Sequence, residues 1–354
     1  MTDDSAMDRL SSMSGRLLIA AAAFLSLAVL AGFGLLAPAS TPGQIFWVLA
    51  SKSTLSSTLR LSVPIVLAAL GGIFAEKSGI INIGLEGLLI ISAFAAIFGA
   101  DVTGSLWLGF LIGIVASTLL AAVFAVVCIE FRADQIIAGL AVWLIALGLA
   151  PFASQVFYGG PNTSNVGTFD SITVPALADI PFFGALFDAS PAVYIMFLAV
   201  AASWYVLNRT TFGRWVRAAG ENPKALDTAG IDVSRVRYAA VLLSGVLSGM
   251  GGAALAINIG QFTGNGPTMV NGKGFIAIVA YLFGNYNPVG ALLSTTLFAG
   301  LDAVQLRLQT ADVIAVPDSL VQAIPFVAVI VVLALVGKTR LPEAAGDHYE
   351  SGEE

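Results

Sequence analysis

Long apolar segments, separated by short polar stretches, follow one another along almost the whole chain. Ten of them can be drawn, at about residues 17–37, 54–75, 80–100, 106–128, 136–157, 191–208, 237–259, 271–284, 288–305 and 319–337. Their lengths approach the roughly 20 residues that an α-helix needs to cross a bilayer. Only 11% of the residues are charged, against about 25% in soluble domains. The sequence therefore predicts an all-α, polytopic membrane protein with about ten transmembrane helices.

The positions of lysine and arginine predict how these helices are oriented, because cytoplasmic loops carry an excess of both. With the amino terminus inside, 12 of the 16 basic residues lie on the inner side. The basic residues left on the outer side are Lys52, Arg60, Lys273 and Arg307. We therefore expect a cytoplasmic N-terminal tail at 1–16, a transmembrane domain at 17–337 and an acidic cytoplasmic C-terminal tail at 338–354. The composition of both tails favours solvated, disordered ends.

Two long connections between the apolar segments have unusual compositions. Residues 158–190, on the predicted outer side, are rich in Gly, Pro, Asn and Ser and contain no Lys or Arg. They form either a plain connector or a docking surface for an external protein, because loops of this length are usually functional or disordered. Residues 209–236, on the predicted inner side, are basic and contain the signals of a short helix.

That short helix is predicted from its caps. Asn222 is a good N-cap, and Pro223 suits the first helical position. Residues 224–229 are mostly helix formers, and Gly230 suits a left-handed stop. The helix is either an amphipathic segment in the membrane interface or a contact for another protein. Its few large apolar side chains favour the protein contact.

An inverted repeat is indicated when the first and sixth apolar segments are set aside. The remaining eight form two sets of four, and matching members run in opposite directions across the membrane. The second member of each set is interrupted by polar residues and glycines. These interruptions are Asn82, Gly84, Glu86 and Gly87 in the first set, and Asn271, Gly272, Lys273 and Gly274 in the second. Paired interrupted segments indicate a binding path in transporters; the alternative is coincidence in a chain with 37 glycines.

For several polar residues near the membrane, the sequence is compatible with either a structural or a transport role. Glu86 either makes a structural polar contact or belongs to a transport path, because carboxylates at membrane depth are costly and tend to be functional. Asn258 and Gln261 either bind a polar solute or satisfy nearby backbone groups. We expect Glu76 and Lys77 to mark the inner membrane surface.

The chain has few of the residue types that usually catalyse reactions or bind metal ions. Cys128 is the single cysteine and His348 the single histidine, so we expect no metal site, no catalytic residues and no cofactor held by the chain. Gly272-Lys273 resembles the end of a phosphate-binding loop, but Pro267 stands where that loop needs glycine and Gly274 where it needs Ser or Thr. If ATP drives transport, another subunit must hydrolyse it.

Three stretches resemble a known family. They are Gly-Ile-Ile-Asn-Ile-Gly-Leu-Glu-Gly at 79–87, Ala-Ala-Gly-Glu-Asn-Pro-Lys-Ala-Leu-Asp-Thr-Ala-Gly-Ile at 218–231, and Gly-Phe-Ile-Ala-Ile-Val-Ala-Tyr-Leu-Phe-Gly at 274–284 followed by Asn287-Pro288. They are similar to permease subunits of binding-protein-dependent ABC importers, in the branch that includes ribose, branched-chain amino acid and nucleoside permeases. The first stretch in its longer form, Ala-Glu-Lys-Ser-Gly-Ile-Ile-Asn-Ile-Gly-Leu-Glu-Gly at 75–87, is most similar to the nucleoside and simple-sugar group. The resemblance covers residues 55–337.

The resemblance implies partners and site residues. It implies a second permease copy or homologue, two cytoplasmic ABC ATPase domains that use ATP and Mg²⁺, an extracytoplasmic solute-binding protein, and a prokaryotic plasma membrane. It also implies that the short inner helix docks in a cleft of the ATPase. The residues matching this coupling element are Gly220, Glu221, Asn222, Pro223, Ala225, Ala229 and Gly230.

The candidate translocation path is drawn from the interrupted segments and the outer end of the seventh apolar segment. Its residues are Asn82, Gly84, Glu86, Asn258, Gln261, Asn271 and Lys273. A permease for branched-chain amino acids or ribose is the alternative within the family. An autonomous secondary transporter or channel is the alternative outside it, with Glu86 as its one candidate ion site. A membrane enzyme is the least supported class, because the chain lacks a nucleophile–base set.

Overall fold

A computed structural model of the chain describes residues 25, 28–310 and 340–350. Helices account for most of this part. They are α1 (Ala28–Leu36), α2 (Thr41–Leu49), α3 (Lys52–Lys77), α4 (Leu85–Thr103), α5 (Leu106–Ile129), α6 (Gln135–Tyr158), α7 (Pro191–Arg209), α8 (Thr211–Glu221), α9 (Pro223–Thr228), α10 (Val233–Ile259), α11 (Lys273–Phe283) and α12 (Pro288–Thr310). A 3₁₀ turn (Phe183–Phe187) and a two-residue antiparallel pair, β1 (Ile172–Thr173) with β2 (Asp188–Ala189), complete it.

The predicted all-α membrane architecture is confirmed. In the described part, seven helices are long and apolar enough to cross a membrane, namely α3, α4, α5, α6, α7, α10 and α12. Helices α1 and α2 meet at 110°, and counting this bent pair as one span raises the number to eight. The predicted count of ten is not confirmed, because the predicted span at 319–337 and the first part of the span at 17–37 lie outside the described residues.

The predicted span at 271–284 is shorter in the structure than a transmembrane helix. Helix α11 has 11 residues, which gives a length of about 16 Å at about 1.5 Å per residue. That is roughly half the thickness of the hydrocarbon core. The helix begins directly after Gly272, whose φ of +82° turns the chain into it. The interruption predicted here is therefore a true helix start at Lys273.

The chain divides into two compact units. The smaller comprises residues 1–58, 175–187 and 298–337, and in it the Lys52 amino group donates to the carbonyl of Ala178 at 3.0 Å. The larger comprises residues 59–174, 188–297 and 338–354. The larger unit contains α10, most of whose length is buried against α4 and α5.

Small residues let the helices of the larger unit approach closely, above all on the glycine-rich face of α10. A Cβ on Gly245 would lie 3.0 Å from the Cα of Thr118 on α5, and one on Gly252 would lie 2.9 Å from the Cα of Leu89 on α4. The Ser117 hydroxyl donates to the carbonyl of Gly245 at 2.9 Å. Such contacts replace the hydrophobic effect as the force that joins helices in a bilayer.

Residues 158–190 are tied to the end of α10 near their beginning. The amide of Thr163 donates to the carbonyl of Phe262 at 3.1 Å, and the amide of Val166 donates to the carbonyl of Gly260 at 2.9 Å. This first part is more than a plain connector. Beyond it several large apolar side chains are exposed, and whether they form a docking surface stays a prediction.

The prediction of a solvated, disordered C-terminal tail is wrong for residues 340–350. The side chain of Ala344 is buried, and its amide donates to the carbonyl of Gly220 at 2.8 Å. Backbone bonds that fold the segment into a turn on the end of α8 outweigh the acidic composition that suggested disorder. The rest of the tail, at 338–339 and 351–354, and the whole of the predicted N-terminal tail lie outside the described residues.

Candidate functional site

The chain between α3 and α4 is not helical: turns at 78–79 and 83–84 flank residues 80–82, and the segment runs into the interior of the larger unit. Helix α3 ends at Lys77, and Gly79 has a φ of +95°, which turns the chain back toward the core. Ser78, Ile80 and Asn82 are all at most 1% exposed. Non-helical backbone at membrane depth is tolerated only where protein pairs it or where it lines a cavity. We call residues 78–84 the extended segment.

Asn82 uses both ends of its amide group. Its nitrogen donates to the hydroxyl of Ser244 on α10 at 3.1 Å, and its oxygen accepts from the amide of Gly84 at 3.0 Å. The second bond shapes the turn that starts α4, because Gly84 has no side chain with which to cap that helix. The extended segment is thereby fixed to α10 and to α4 at one residue.

Glu86 joins the starts of the two interrupted helices. Its Oε1 accepts from the amide of Gly272 at 2.7 Å, and its Oε2 accepts from the amide of Gly274 at 2.6 Å. The residue is 2% exposed. It replaces the cap that Gly272 cannot provide for α11. A carboxylate is favoured at this place because helix N-termini carry free N–H groups and a partial positive charge.

Glycine is required at position 274 by the closeness of α4. A Cβ there would lie 2.5 Å from the Cα of Glu86, a separation that ordinary side chains do not adopt. The two helix starts therefore meet backbone to backbone. We call Asn82, Gly84, Glu86, Gly272 and Gly274 the central cluster.

The structure brings some of the predicted path residues together and leaves others apart. The Lys273 amino group donates to the carbonyl of Val270 at 3.1 Å, beside the central cluster, and Asn271 next to it is exposed with a φ of +47°. Asn258 and Gln261 are partly exposed near the end of α10. Within the described residues, no hydrogen bond joins either side chain to the central cluster.

Glu76, which was expected at the inner membrane surface, is buried within the protein near the end of α3. It is 5% exposed, and its carboxylate accepts from the hydroxyls of Tyr281 and, at 2.6 Å, Tyr286. Burial, and after it the neighbouring Glu76, raise the pKa of the Tyr286 phenol, so this hydroxyl remains a donor. Buried tyrosine hydroxyls need acceptors, and the pair of tyrosines around the end of α11 was the available signal. Helix α11 is thus attached near both ends by carboxylates, Glu86 at its start and Glu76 at its end.

A second region, formed by α8 and α9, lies in the predicted inner loop. The sequence analysis missed α8. Its signals are an N-cap at Thr210, whose hydroxyl accepts from the amide of Gly213 at 3.1 Å, and helical spacing of the buried residues Gly213, Val216 and Ala219. We call residues 211–230 the α8–α9 face.

Helix α9 is formed by the caps that predicted it. The Asn222 side chain accepts from the amide of Ala225 at 3.0 Å, Pro223 is the first helical residue, and Gly230 has a φ of +79°. Leu226 is buried and holds the helix to the protein. The predicted coupling residues exposed around it are Glu221, Asn222, Ala225, Ala229 and Gly230. Since Leu226 points inward, α9 presents no large apolar side chain with which to enter a membrane.

Gly220 places the α8–α9 face directly against the start of the extended segment. A Cβ on Gly220 would lie 2.9 Å from the carbonyl carbon of Lys77 and 3.1 Å from the amide nitrogen of Gly79. No side chain separates the two backbones. Helix α8 is therefore in direct backbone contact with the segment that carries Asn82.

Among the residues that the structure describes, no three His, Cys, Asp or Glu side chains are grouped so as to hold a metal ion. The central cluster is a pair of facing helix starts, and the α8–α9 face is a partly exposed surface that contacts the extended segment at Gly220.

Comparison with known proteins gives a consistent result. The profile of the family described as branched-chain amino acid transport system / permease component matches residues 54–334. The nucleoside ABC transporter permease protein NupC of Lactococcus lactis subsp. cremoris is 37% identical over 83% of this chain and 95% of its own length. The guanosine ABC transporter permease protein NupQ of Bacillus subtilis is 36% identical over 84% and 96%, respectively. A putative glucose ABC transporter permease protein of Haloferax volcanii is 34% identical over 75% and 80%. No solved structure matches the chain significantly.

Proposed function

The chain belongs to the family of branched-chain amino acid transport system permease components, and we propose that it forms the solute path of an ABC importer for nucleosides. The family and the multi-helix membrane fold support a permease subunit, which is not itself an enzyme. In this proposal separate cytoplasmic ATPase domains supply ATP hydrolysis with Mg²⁺. An extracytoplasmic binding protein delivers the solute, and a second permease copy or homologue completes the path.

The choice of nucleosides is supported by the relatives. NupC and NupQ, whose names state nucleoside and guanosine transport, each match more than four fifths of this chain. A simple sugar is the second candidate, supported by the putative glucose permease. Both solutes are mostly neutral and rich in hydrogen-bonding groups. The partly exposed Asn258 and Gln261 and the exposed Asn271 would suit them better than a strongly charged solute.

The central cluster supports the position of the path. Two helices that start inside the bundle, facing each other through Glu86, are typical of transporters whose binding region lies near the middle of the bilayer. The exposed Asn271 and the partly exposed Lys273 lie next to this point. We propose that the solute passes beside the start of α11, and that Glu86 keeps this start in place rather than carrying an ion.

The contact of Gly220 with Lys77 and Gly79 is the observation that carries the proposed coupling. We place the α8–α9 face on the cytoplasmic side, with both termini, and residues 158–190 on the opposite side, as the basic residues indicate. There α9 docks on the ATPase. When the ATPases close on ATP, they displace α9 and α8, and Gly220 then pushes on the extended segment. This movement opens or closes the solute path beside the central cluster.

Uptake by the assembled transporter tests this function. The permease is reconstituted in liposomes with its ATPase and binding-protein partners, and uptake of guanosine, uridine, glucose and leucine is measured with and without ATP. We expect ATP-dependent uptake of the nucleosides and little uptake of leucine. Uptake by the permease alone, driven by an ion gradient, would contradict the proposal. ATP-driven uptake of glucose without nucleosides would keep the permease function and replace the solute.

A further inference from the structure

The described part of the C-terminal tail bridges the two glycines that meet at the α8–α9 face. The amide of Ala344 donates to the carbonyl of Gly220 at 2.8 Å, and the amide of Gly346 donates to the carbonyl of Gly79 at 3.0 Å. The two donors are separated by one residue, Ala345. The tail therefore lies across the contact between α8 and the extended segment, with one hydrogen bond to each side.

The same segment reaches α9 through a side chain. The hydroxyl of Tyr349 donates to Oδ2 of Asp227 at 2.9 Å. Asp227 follows the buried Leu226 and is the fifth of the six residues of α9. Because α9 has six residues, far fewer than the roughly 12–15 needed for an isolated helix to persist in water, its position depends on such tertiary contacts.

Arg237 of α10 fixes the other side of the tail. The residue is 4% exposed, and its Nε donates to the carbonyl of Ser78 at 3.2 Å. Its Nη1 donates to the carbonyl of Asp347 at 2.9 Å. One buried guanidinium thus holds the tail and the first residue of the extended segment together. The tail also keeps its own turn, since the amide of Ala345 donates to the carbonyl of Pro342 at 3.2 Å.

We propose that residues 340–350, the C-terminal strap, are a positioning element that makes α9 and the extended segment move as one. This inference rests on the function proposed above. The strap holds α9 through Tyr349, α8 through Ala344 and the extended segment through Gly346. Without it, Gly220 would still touch Gly79, but α9 could shift under the ATPase while the extended segment stayed in place. ATP would then be hydrolysed with less solute moved.

The ratio of solute transported to ATP hydrolysed measures this role, because a purely structural role would lower both rates together. In the complete reconstituted transporter, Tyr349→Phe removes the hydroxyl that reaches Asp227 and keeps the ring. We expect the ratio to fall about fivefold, the factor that corresponds to one net hydrogen bond. The matched control is Glu343→Gln on the same segment, whose side chain is exposed, and we expect it to leave the ratio unchanged.

A double-mutant cycle identifies the partner. Asp227→Asn weakens the acceptor, and we expect Asp227→Asn combined with Tyr349→Phe to be no worse than the more severe single variant. If the double variant lowered the ratio by the product of the two single effects, the assignment of Tyr349 and Asp227 as interacting partners would be overturned. Removal of residues 338–354 should lower the ratio further, whereas removal of 351–354 should not.

The outcomes separate the two proposals. If wild-type liposomes show no ATP-driven uptake, the proposed function fails and the strap proposal falls with it. If wild-type liposomes transport normally and both Tyr349→Phe and the removal of 338–354 keep the wild-type ratio, the strap alone is overturned. Loss of thermal stability with an unchanged ratio would also overturn it, since the tail would then serve folding only.

Discussion

Glycine allows close backbone contact both in the central cluster and on the α8–α9 face, but the surroundings of these contacts differ. In the central cluster, Gly274 meets a buried carboxylate residue whose oxygens are both used by backbone amides. On the α8–α9 face, Gly220 is buried against Gly79, while half of the residues of the adjoining α9 are exposed.

This difference separates what holds the protein together from what moves it. A buried polar network is costly to disturb because its members cannot turn to water instead. An exposed six-residue helix is cheap to disturb because water replaces whatever it loses. Changes in the central cluster should therefore reduce the amount of folded protein, whereas changes on the α8–α9 face should leave it folded and reduce transport.

Gly274→Val should have the largest effect. Its branched side chain would overlap the backbone of Glu86, which cannot move without breaking both of its hydrogen bonds to the start of α11. We expect little or no monodisperse protein after detergent extraction, measured by size-exclusion chromatography. The control is Gly148→Val on α6, where a Cβ would meet nothing within 4 Å. Normal yield of Gly274→Val would contradict the backbone contact that the structure shows.

Glu86→Ala should come next. It leaves two buried amides without acceptors, each costing about 1–3 kcal/mol. We expect a loss of stability of about 3 kcal/mol, measured as the fall in unfolding free energy in a mild denaturant series. Glu86→Gln keeps one acceptor oxygen and should lose about half as much. If both variants were as stable as the wild type, Glu86 would not be the cap of α11.

Gly220→Ala tests the α8–α9 face, where we expect the protein to stay folded and transport to fall. The added methyl group pushes α8 away from Lys77 and Gly79. We expect at least about a tenfold loss of ATP-dependent uptake, the equivalent of about 1.4 kcal/mol, with yield and solute capture by the binding protein unchanged. Gly160→Ala, where a Cβ meets nothing within 4 Å, should transport normally. Equal uptake by Gly220→Ala and Gly160→Ala would contradict the proposed coupling between α8 and the extended segment.

Asn222→Ala should have the smallest effect. Loss of this N-cap costs about 1 kcal/mol of helix stability, and it acts on a short exposed helix. We expect uptake to fall several-fold while the melting temperature stays at the wild-type value. Asn222→Ser keeps a capping oxygen and should restore most of the uptake. A large fall in melting temperature for Asn222→Ala would show that α9 contributes to the fold as the central cluster does.

The sequence was sufficient to predict structural features that depend only on residues close together in the chain. The caps Asn222 and Gly230 act within one short helix, so their residue types were sufficient to predict α9. The apolar segments predicted most membrane helices for the same reason. The interruptions at Asn82–Gly87 and Asn271–Gly274 were found from composition and spacing alone, and the structure brings the two into contact through Glu86.

Contacts between distant residues could not be predicted in this way. Glu76 lies about 200 positions from Tyr281 and Tyr286, and no local pattern shows that a carboxylate beside a lysine turns inward. Residues 340–350 of the C-terminal tail were wrongly expected to be disordered, because acidic composition indicates only how a free segment behaves. It does not show that Gly220 and Gly79 offer carbonyls to the tail. The location of the path near Asn258 and Gln261 stays a prediction.

The central claim is that movement of the α8–α9 face reaches the central cluster through Gly220. Hydrogen–deuterium exchange of the peptide covering residues 271–276 measures it directly in the assembled transporter, with a hydrolysis-deficient ATPase, before and after addition of ATP. We predict that exchange in this peptide changes with ATP in the wild type and stays unchanged in Gly220→Ala, although ATP is bound in both. The same ATP-induced change in both proteins would contradict the claim.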